Sequence, residues 1–440
     1  MFKDEEEKLE KWKEEIENAS VPQDELEGAI RQGLQRAQQV AKPVKKRPVV
    51  KRGVWAVVVA AVLLITFATS IRVSPAFANV VALIPGMEKI VALIQDNKGL
   101  QSAIENEYYQ PLNQSIEKEG VTLTLDGVIA DEQEMIIFYS VKSFNKGEQP
   151  LNGHPLITDI EGEDIAIRSS SDALYDIDGK GLENSSKVNV HFREVINKSG
   201  FIFKVKLESD SQSIDYEIPF SLDKEKMPTI RYPTNETVSI EGQKITIKQI
   251  EISPIKVSVH IRVDPANTKE ILGYEDFRLV DGKGETWSAI TNGLTASGID
   301  EYERVYYLQS NYFEQAKGLT LMFNKLQAID KDEAYVVIDT DKGIILEQPA
   351  DQRFSVIMTN RRFIELFLKG EKGFHSDPFI KIVDMEGKEF HTSGGGFSRL
   401  SDEQIQLSVR IPDESYVNPI KLPLYGYPQW IEGDVKIKIK

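Results

Sequence analysis

The sequence predicts a mainly β protein fixed to a membrane, with short cytoplasmic α-helices, one transmembrane helix and then about three immunoglobulin-like β-sandwich repeats. Three observations carry this expectation. Residues 54–71, VWAVVVAAVLLITFATSI, contain no charge. From Gly120 onward apolar residues recur with period two between Gly, Asn, Asp and Pro clusters. That β part also repeats itself three times. With 440 residues, 41 % of them hydrophobic, the chain can build several real cores.

The cytoplasmic helical segment is expected over 1–40. Residues 5–18, EEEKLEKWKEEIEN, place Leu9, Trp12 and Ile16 at helical spacing on a charged background. A second helix is expected from Val21, where Ser20 and Gln23 have capping-box spacing and Pro22 suits the first turn. Leu26, Ile30 and Leu34 then form one stripe. Such narrow stripes cannot enclose a core. They pair with each other, lie on the inner leaflet, or fill the groove of a cytoplasmic partner, and these six residues are the candidates for that partner contact.

Segment 41–52, AKPVKKRPVVKR, reads as a basic linker running along anionic membrane lipid. The transmembrane helix is placed at 53–73: eighteen apolar residues at helical rise span about 27 Å, close to the hydrocarbon thickness of a bilayer. Lys42, Lys45, Lys46, Arg47, Lys51 and Arg52 precede the run, whereas only Arg72 follows it before Lys89. Positive charge stays inside, so the expectation is a single-pass cell-membrane protein with a cytoplasmic N-terminus and an extracellular C-terminal region. Ala76-Phe77-Ala78 has the small-x-small form that a signal peptidase reads. A leader of some fifty residues far exceeds an ordinary n-region, which favours an uncleaved anchor. Ala76 and Ala78 therefore stand as a candidate proteolytic site for a membrane-associated protease, against the plainer reading of ordinary juxtamembrane residues.

A juxtamembrane helical segment is expected over 74–119, from Val80, Val81, Leu83 and Ile84, then Met87, Ile90, Val91 and Ile94, then Leu100 and Ile104. Three sandwiches are expected at 120–230, 231–345 and 346–440. Their repeat begins with strands at Met135, Lys256 and Phe363. LITDIEGEDIAI, FRLVDGKGETW and IKIVDMEGKEF come next, and the copies end with strands at Phe201, Leu319 and Ile420. Each copy carries Asp three residues before Gly: Asp159 and Gly162, Asp281 and Gly284, Asp384 and Gly387. That spacing suits a type I turn, in which the Asp side chain caps amides, and lacks the alternating oxygen ligands of a calcium loop. In the strand from Lys256 to Val263 the valines and Ile261 are expected to face the core while Lys256, Ser258, His260 and Arg262 face water.

Residues 1–52 carry 12 Lys and Arg against 11 Asp and Glu, and the remainder 41 against 58. An acidic exterior argues against direct nucleic-acid binding by that part. The absence of cysteine removes disulfides, thiol nucleophiles and cysteine zinc sites. His154, His191, His260, His375 and His391 belong to no closely spaced ligand set, so neither a metal nor another cofactor is expected. His260, His375 and His391 are expected to be solvated. Gly394-Gly395-Gly396 has neither a following GKS/T nor a helix start and reads as a loop. No GxSxG occurs, and no catalytic residue is assigned. An enzyme is not expected.

The chain resembles single-span membrane proteins of Gram-positive bacteria classed as anti-sigma factors for extracytoplasmic-function sigma factors. The resemblance is carried by VPQDELEGAIRQGLQRA from Val21, SPAFANVVALIPGMEKIVALI from Ser74, GVTLTLDGVIADEQEMIIFYSV from Gly120, ISPIKVSVHI from Ile252 and YGYPQWIEGDVKI near the end. It implies that the cytoplasmic segment sequesters a sigma factor while external domains sense an envelope signal. The zinc-binding HxxxCxxC helix of many anti-sigma factors is missing, so the zinc-free variety is implied. The alternative is a cell-surface binding or adhesion protein with an N-terminal membrane anchor.

Overall fold

The computed structural model describes residues 86–143, 153–177, 183–208, 213–223, 227–289, 294–314, 317–359, 362–371, 374, 376–391, 396–401, 403–411 and 413–440. The chain divides into two compact units, Met1–Arg72 and Val73–Lys440. All the described residues belong to the second. The expected cytoplasmic helices, basic linker and transmembrane helix lie outside them. Among the described residues no helix is long and apolar enough to cross a membrane.

The helical spacing read after Pro85 folds as α1 (Met87–Ile94) and α2 (Lys98–Glu105). Met87, Ile90 and Ile94 recur at intervals of three and four and are buried, which gives α1 one apolar face. Asn97 caps α2, its side chain accepting from the Leu100 amide at 3.1 Å. The helical segment expected to reach 119 stops sooner, because Gln110–Lys118 is a strand. Leu112 and Ile116 have helical spacing in a mostly polar run, so periodicity misleads there. Pairing with the next strand decides the matter, with a register shift between Pro111 and Gln114.

The rest is mainly β. A first lobe consists of β1 (Gln110–Lys118), β2 (Val121–Ala130), β3 (Glu134–Ser143), β4 (Leu156–Asp159), β5 (Ala166–Ser171), β6 (Tyr175–Asp176), β7 (Glu183–Phe192), β8 (Gly200–Glu208) and β9 (Ser213–Ser221). Its sheets run β1-β2-β3-β7-β5, with β6 on β7, and β4-β8-β9. Their inner faces meet in one core that includes Leu123, Ile137, Tyr139, Phe201 and Phe203. β3 is apolar without alternation because it is covered twice. Met135, Ile137 and Tyr139 enter that core, while Ile136 and Phe138 lie under the helices.

The second lobe starts with β10 (Ile230–Ile240), β11 (Gln243–Ile252), β12 (Lys256–Val263), β13 (Lys269–Tyr274), β14 (Arg278–Asp281), β15 (Thr286–Trp287), β16 (Thr295–Gly298), β17 (Glu303–Gln309) and β18 (Leu319–Asp330). A third lobe follows as β19 (Tyr335–Asp339), β20 (Ile344–Glu347), β21 (Phe354–Thr359), β22 (Phe363–Lys369), β23 (Lys381–Val383), β24 (Glu389–His391), β25 (Gly396–Ser401), β26 (Gln404–Arg410) and β27 (Ile420–Pro423). The last strand, β28 (Trp430–Lys438), pairs with β18. Ile431, Val435 and Ile437 accordingly join the second core.

The third lobe is therefore an insertion between β18 and β28. The expected boundary at 345/346 and the assignment of everything to 440 to the third repeat both change: β19 and β20 belong to the third lobe, and β28 belongs to the second. Strand periodicity shows that a strand exists but not which distant strand will pair with it. Three of the sheets share one local arrangement. β8, β18 and β27 are equivalent central strands, flanked by β4, β14 and β23 on one side. The other flank is filled by β9 from the next stretch of chain, by β28 returning from the C-terminus, or by β19 from just before the lobe.

The Asp-x-x-Gly turns form as expected. Asp159, Asp281 and Asp384 are buried, and their Oδ1 atoms accept the Glu163, Glu285 and Lys388 amides at 2.8–2.9 Å. Gly162, Gly284 and Gly387 have φ between 83° and 91°, a backbone region costly for any residue with a Cβ.

Candidate functional site

The first two lobes meet through equivalent hairpin turns. In the β2–β3 turn the Asp131 amide donates to the Glu134 carbonyl at 2.9 Å, and Asp131 Oδ1 accepts the Gln133 and Glu134 amides. In the β11–β12 turn the Ser253 amide donates to the Lys256 carbonyl at 2.9 Å, and Ser253 Oγ accepts the Ile255 and Lys256 amides. Each turn thus presents its capping side chain and the first residue of the following strand. Those first residues pair across the joint, with Lys256 Nζ 2.7 Å from Glu134 Oε2.

The joint is dry and charged. Side-chain exposure is 8 % for Lys256 and 4 % for Glu134. His191, opposite Glu134 on β7, places Nδ1 2.8 Å from the same carboxylate and stacks on Tyr307 of β17 at 6.4 Å. Lys256 Nζ also sits over the Tyr307 ring at 4.5 Å. Burial, the largest influence on Glu134, raises its pKa, yet Lys256 and His191 outweigh it and hold the group at about 2. For Asp131 burial wins: with the Glu134 charge beside it, the carboxyl is pushed up to about 6. Glu134 Oε1 and Asp131 Oδ2 are buried without a hydrogen-bond partner.

Further contacts widen the joint. Gln133 donates to Glu251 at 3.3 Å, and Arg168 of β5 donates to Ser297 of β16 at 2.8 Å. In the link between the lobes the Thr229 amide donates to Glu132 at 3.1 Å, and the Tyr312 hydroxyl donates to the Pro228 carbonyl at 3.0 Å.

The two helices clasp this joint. Their apolar residues pack with Tyr108, Tyr109, Ile129, Ile136 and Phe138 of the first lobe and with Ile255 of the second. α1 is tied to the first lobe, where Lys89 pairs with Glu183 and lies 4.0 Å from Asp126. Lys187 also donates to the Leu93 carbonyl at the end of α1, at 3.2 Å. Burial pushes the Asp126 carboxyl up to about 6, although Lys89 works against it. α2 is tied to the second lobe. The Lys98 amide donates to Gln309 Oε1 at 3.0 Å, Gln309 Nε2 donates to the Asp96 carbonyl at 3.2 Å, and Lys98 Nζ pairs with Glu285 at 3.3 Å. Gly99 permits the contact, because a Cβ there would stand 2.6 Å from the Ser310 amide nitrogen.

A small-molecule site is not evident among the described residues. The cavity lined by Ile271, Arg304 and Tyr306 measures about 20 Å³, room for about one water. No group of three or more His, Asp or Glu among the described residues could hold a metal ion. The arrangement can bind two lobes together, hold a helix pair across them and respond to charge.

The residues singled out from the sequence fall elsewhere. Leu9, Trp12, Ile16, Leu26, Ile30 and Leu34, with Ala76 and Ala78, lie outside the described residues, as does His375. The expectation that Lys256 and Ser258 face water is corrected: both are buried, Lys256 beneath the first lobe. His260 is only partly exposed, with Nε2 3.7 Å from Glu251. Sequence reasoning missed the joint altogether. A signal was present, since a charged residue opens an apolar strand at equivalent places in two repeats, as Glu134 and Lys256.

With this geometry in view, the similarities of the chain become informative. Residues 50–143 match a domain of unknown function (DUF4179), and residues 229–359 match a family of unknown function (DUF5643). The first match ends at the last residue of β3, so it takes in both helices of the clasp together with the strands beneath them. No curated protein matches the chain. Among solved structures, the chain is similar to the conserved domain protein from Bacillus anthracis, at 20 % identity and a TM-score of 0.38, over 54 % of this chain and 84 % of that one.

Proposed function

We propose that the protein is a single-pass membrane regulator rather than an enzyme. Its cytoplasmic helices hold a sigma factor, and its external lobes, read as three immunoglobulin-like sandwiches, receive an envelope signal. The observation that carries this reading is the clasp. The helix pair, which begins at Met87, fourteen residues after the end of the expected span, is packed across the joint of two lobes, and on this reading a change in their docking is passed to the chain that enters the membrane. Such a relay needs a two-state element that both ends can bias, and on this reading the joint, held by a buried ion pair and a helical clasp, is that element.

The test is co-purification of the full chain from membranes with the cell's sigma factors. An extracytoplasmic-function sigma factor should be retained by the natural protein and lost when Leu26→Asp and Ile30→Asp put charges into the stripe. Retention of no sigma factor would defeat the reading and favour adhesion.

A further inference from the structure

The joint holds one more acid than it can neutralise. Lys256 meets Glu134, yet Asp131 is fully buried at the same contact, with Oδ1 committed to its own turn and Oδ2 without a hydrogen-bond partner. Around it stand Glu132 and Glu134 on its own turn, His191 of β7, Lys256 of β12, Glu251 of β11, and the phenols of Tyr108 and Tyr312. Lys256 already serves Glu134, and Ser253, which occupies the place of Asp131 in the facing turn, brings only a hydroxyl, whose hydrogen bond to Asp131 works against the rise in its pKa but supplies no charge.

We propose that Asp131 is a proton-operated latch: protonated, it lets the first two lobes dock and seats the clasp, and ionised, it sets two carboxylates side by side in a dry interface and favours opening. The inference rests on the reading that the joint relays an external signal, but it concerns the joint alone.

The direction follows from linkage. Asp131 is pushed up to about 6 when docked and returns to an ordinary carboxylate value when open. It therefore supports docking at low pH and loses that support as pH rises through about 6. Glu134, held at about 2, acts oppositely, supporting docking above its ordinary value and failing as pH falls toward 2. Docking should be strongest near pH 5 and weaken by about tenfold by pH 7.5.

Hydrogen exchange of the full chain in lipid nanodiscs tests this, with rates corrected for intrinsic pH dependence. Peptides covering 98–105, 131–136 and 253–258 should open about tenfold more at pH 7.5 than at pH 5. Asp131→Asn, which keeps the accepting oxygen, and Asp131→Ser, which copies the facing turn, should each remove the difference and stay protected at both pH values. Equal protection of the natural protein at both pH values would overturn the latch. So would a pH dependence that persists in either folded variant. Because no sigma factor is involved, failure of the cytoplasmic reading leaves this result standing, and the converse also holds.

Discussion

Lys256 Nζ and Glu134 Oε2 lie 2.7 Å apart across two lobes, each at the first position of equivalent strands in a repeated fold. The pair shows that the repeats are joined through the same end of each, turn against turn. Lys256→Met should leave the buried Glu134 carboxylate with His191 still beside it but without its ammonium partner, at a cost of up to about 3–5 kcal/mol. Lys256→Met combined with Glu134→Leu should recover most of that loss, because a hydrophobic pair of similar size packs where the ion pair was. Denaturant unfolding of the two variants beside the natural protein measures both numbers.

The turn aspartates give a local prediction. Asp384 Oδ1 accepts the Glu386 and Lys388 amides at 3.0 and 2.9 Å, and Asp384→Ala should cost about 1–3 kcal/mol by leaving them unpaired. At Gly387 a Cβ would touch nothing within 4 Å, but φ is 84°. Gly387→Ala should therefore cost about 1 kcal/mol through backbone strain alone. Thermal unfolding that ranked Gly387→Ala as the more damaging of the two would contradict this division between capping and strain.

Part of this was legible in the sequence. The turns could be read because Asp and Gly act locally, within five residues of each other. The clasp helices could be read because Met87, Ile90 and Ile94 declare a face. What could not be read was non-local. β28 looks like any other strand, and only its pairing with β18 shows that the third lobe interrupts the second. Lys256 looks like a solvated strand residue until the first lobe covers it, since period-two alternation reports the two faces of one sheet and not what later lands on the outer one.

Topology makes its own prediction. With six basic residues before the charge-free run at 54–71, a reporter fused after Ser143, the last residue of β3, should be active only outside the cytoplasm. Activity of that fusion inside the cell would reverse the orientation on which the relay depends.

The proposed relay requires the clasp to transmit the state of the joint to the cytoplasmic stripe, and Gly99→Val breaks that link at the clasp. The added side chain cannot fit against the Ser310 backbone, so α2 should leave the second lobe while the lobes themselves remain folded. Measured as expression of the sigma-dependent regulon in unstressed cells, with the protein at normal level in the membrane, the result predicted is constitutive induction. Basal expression in that strain, with hydrogen exchange showing the clasp released, would contradict it.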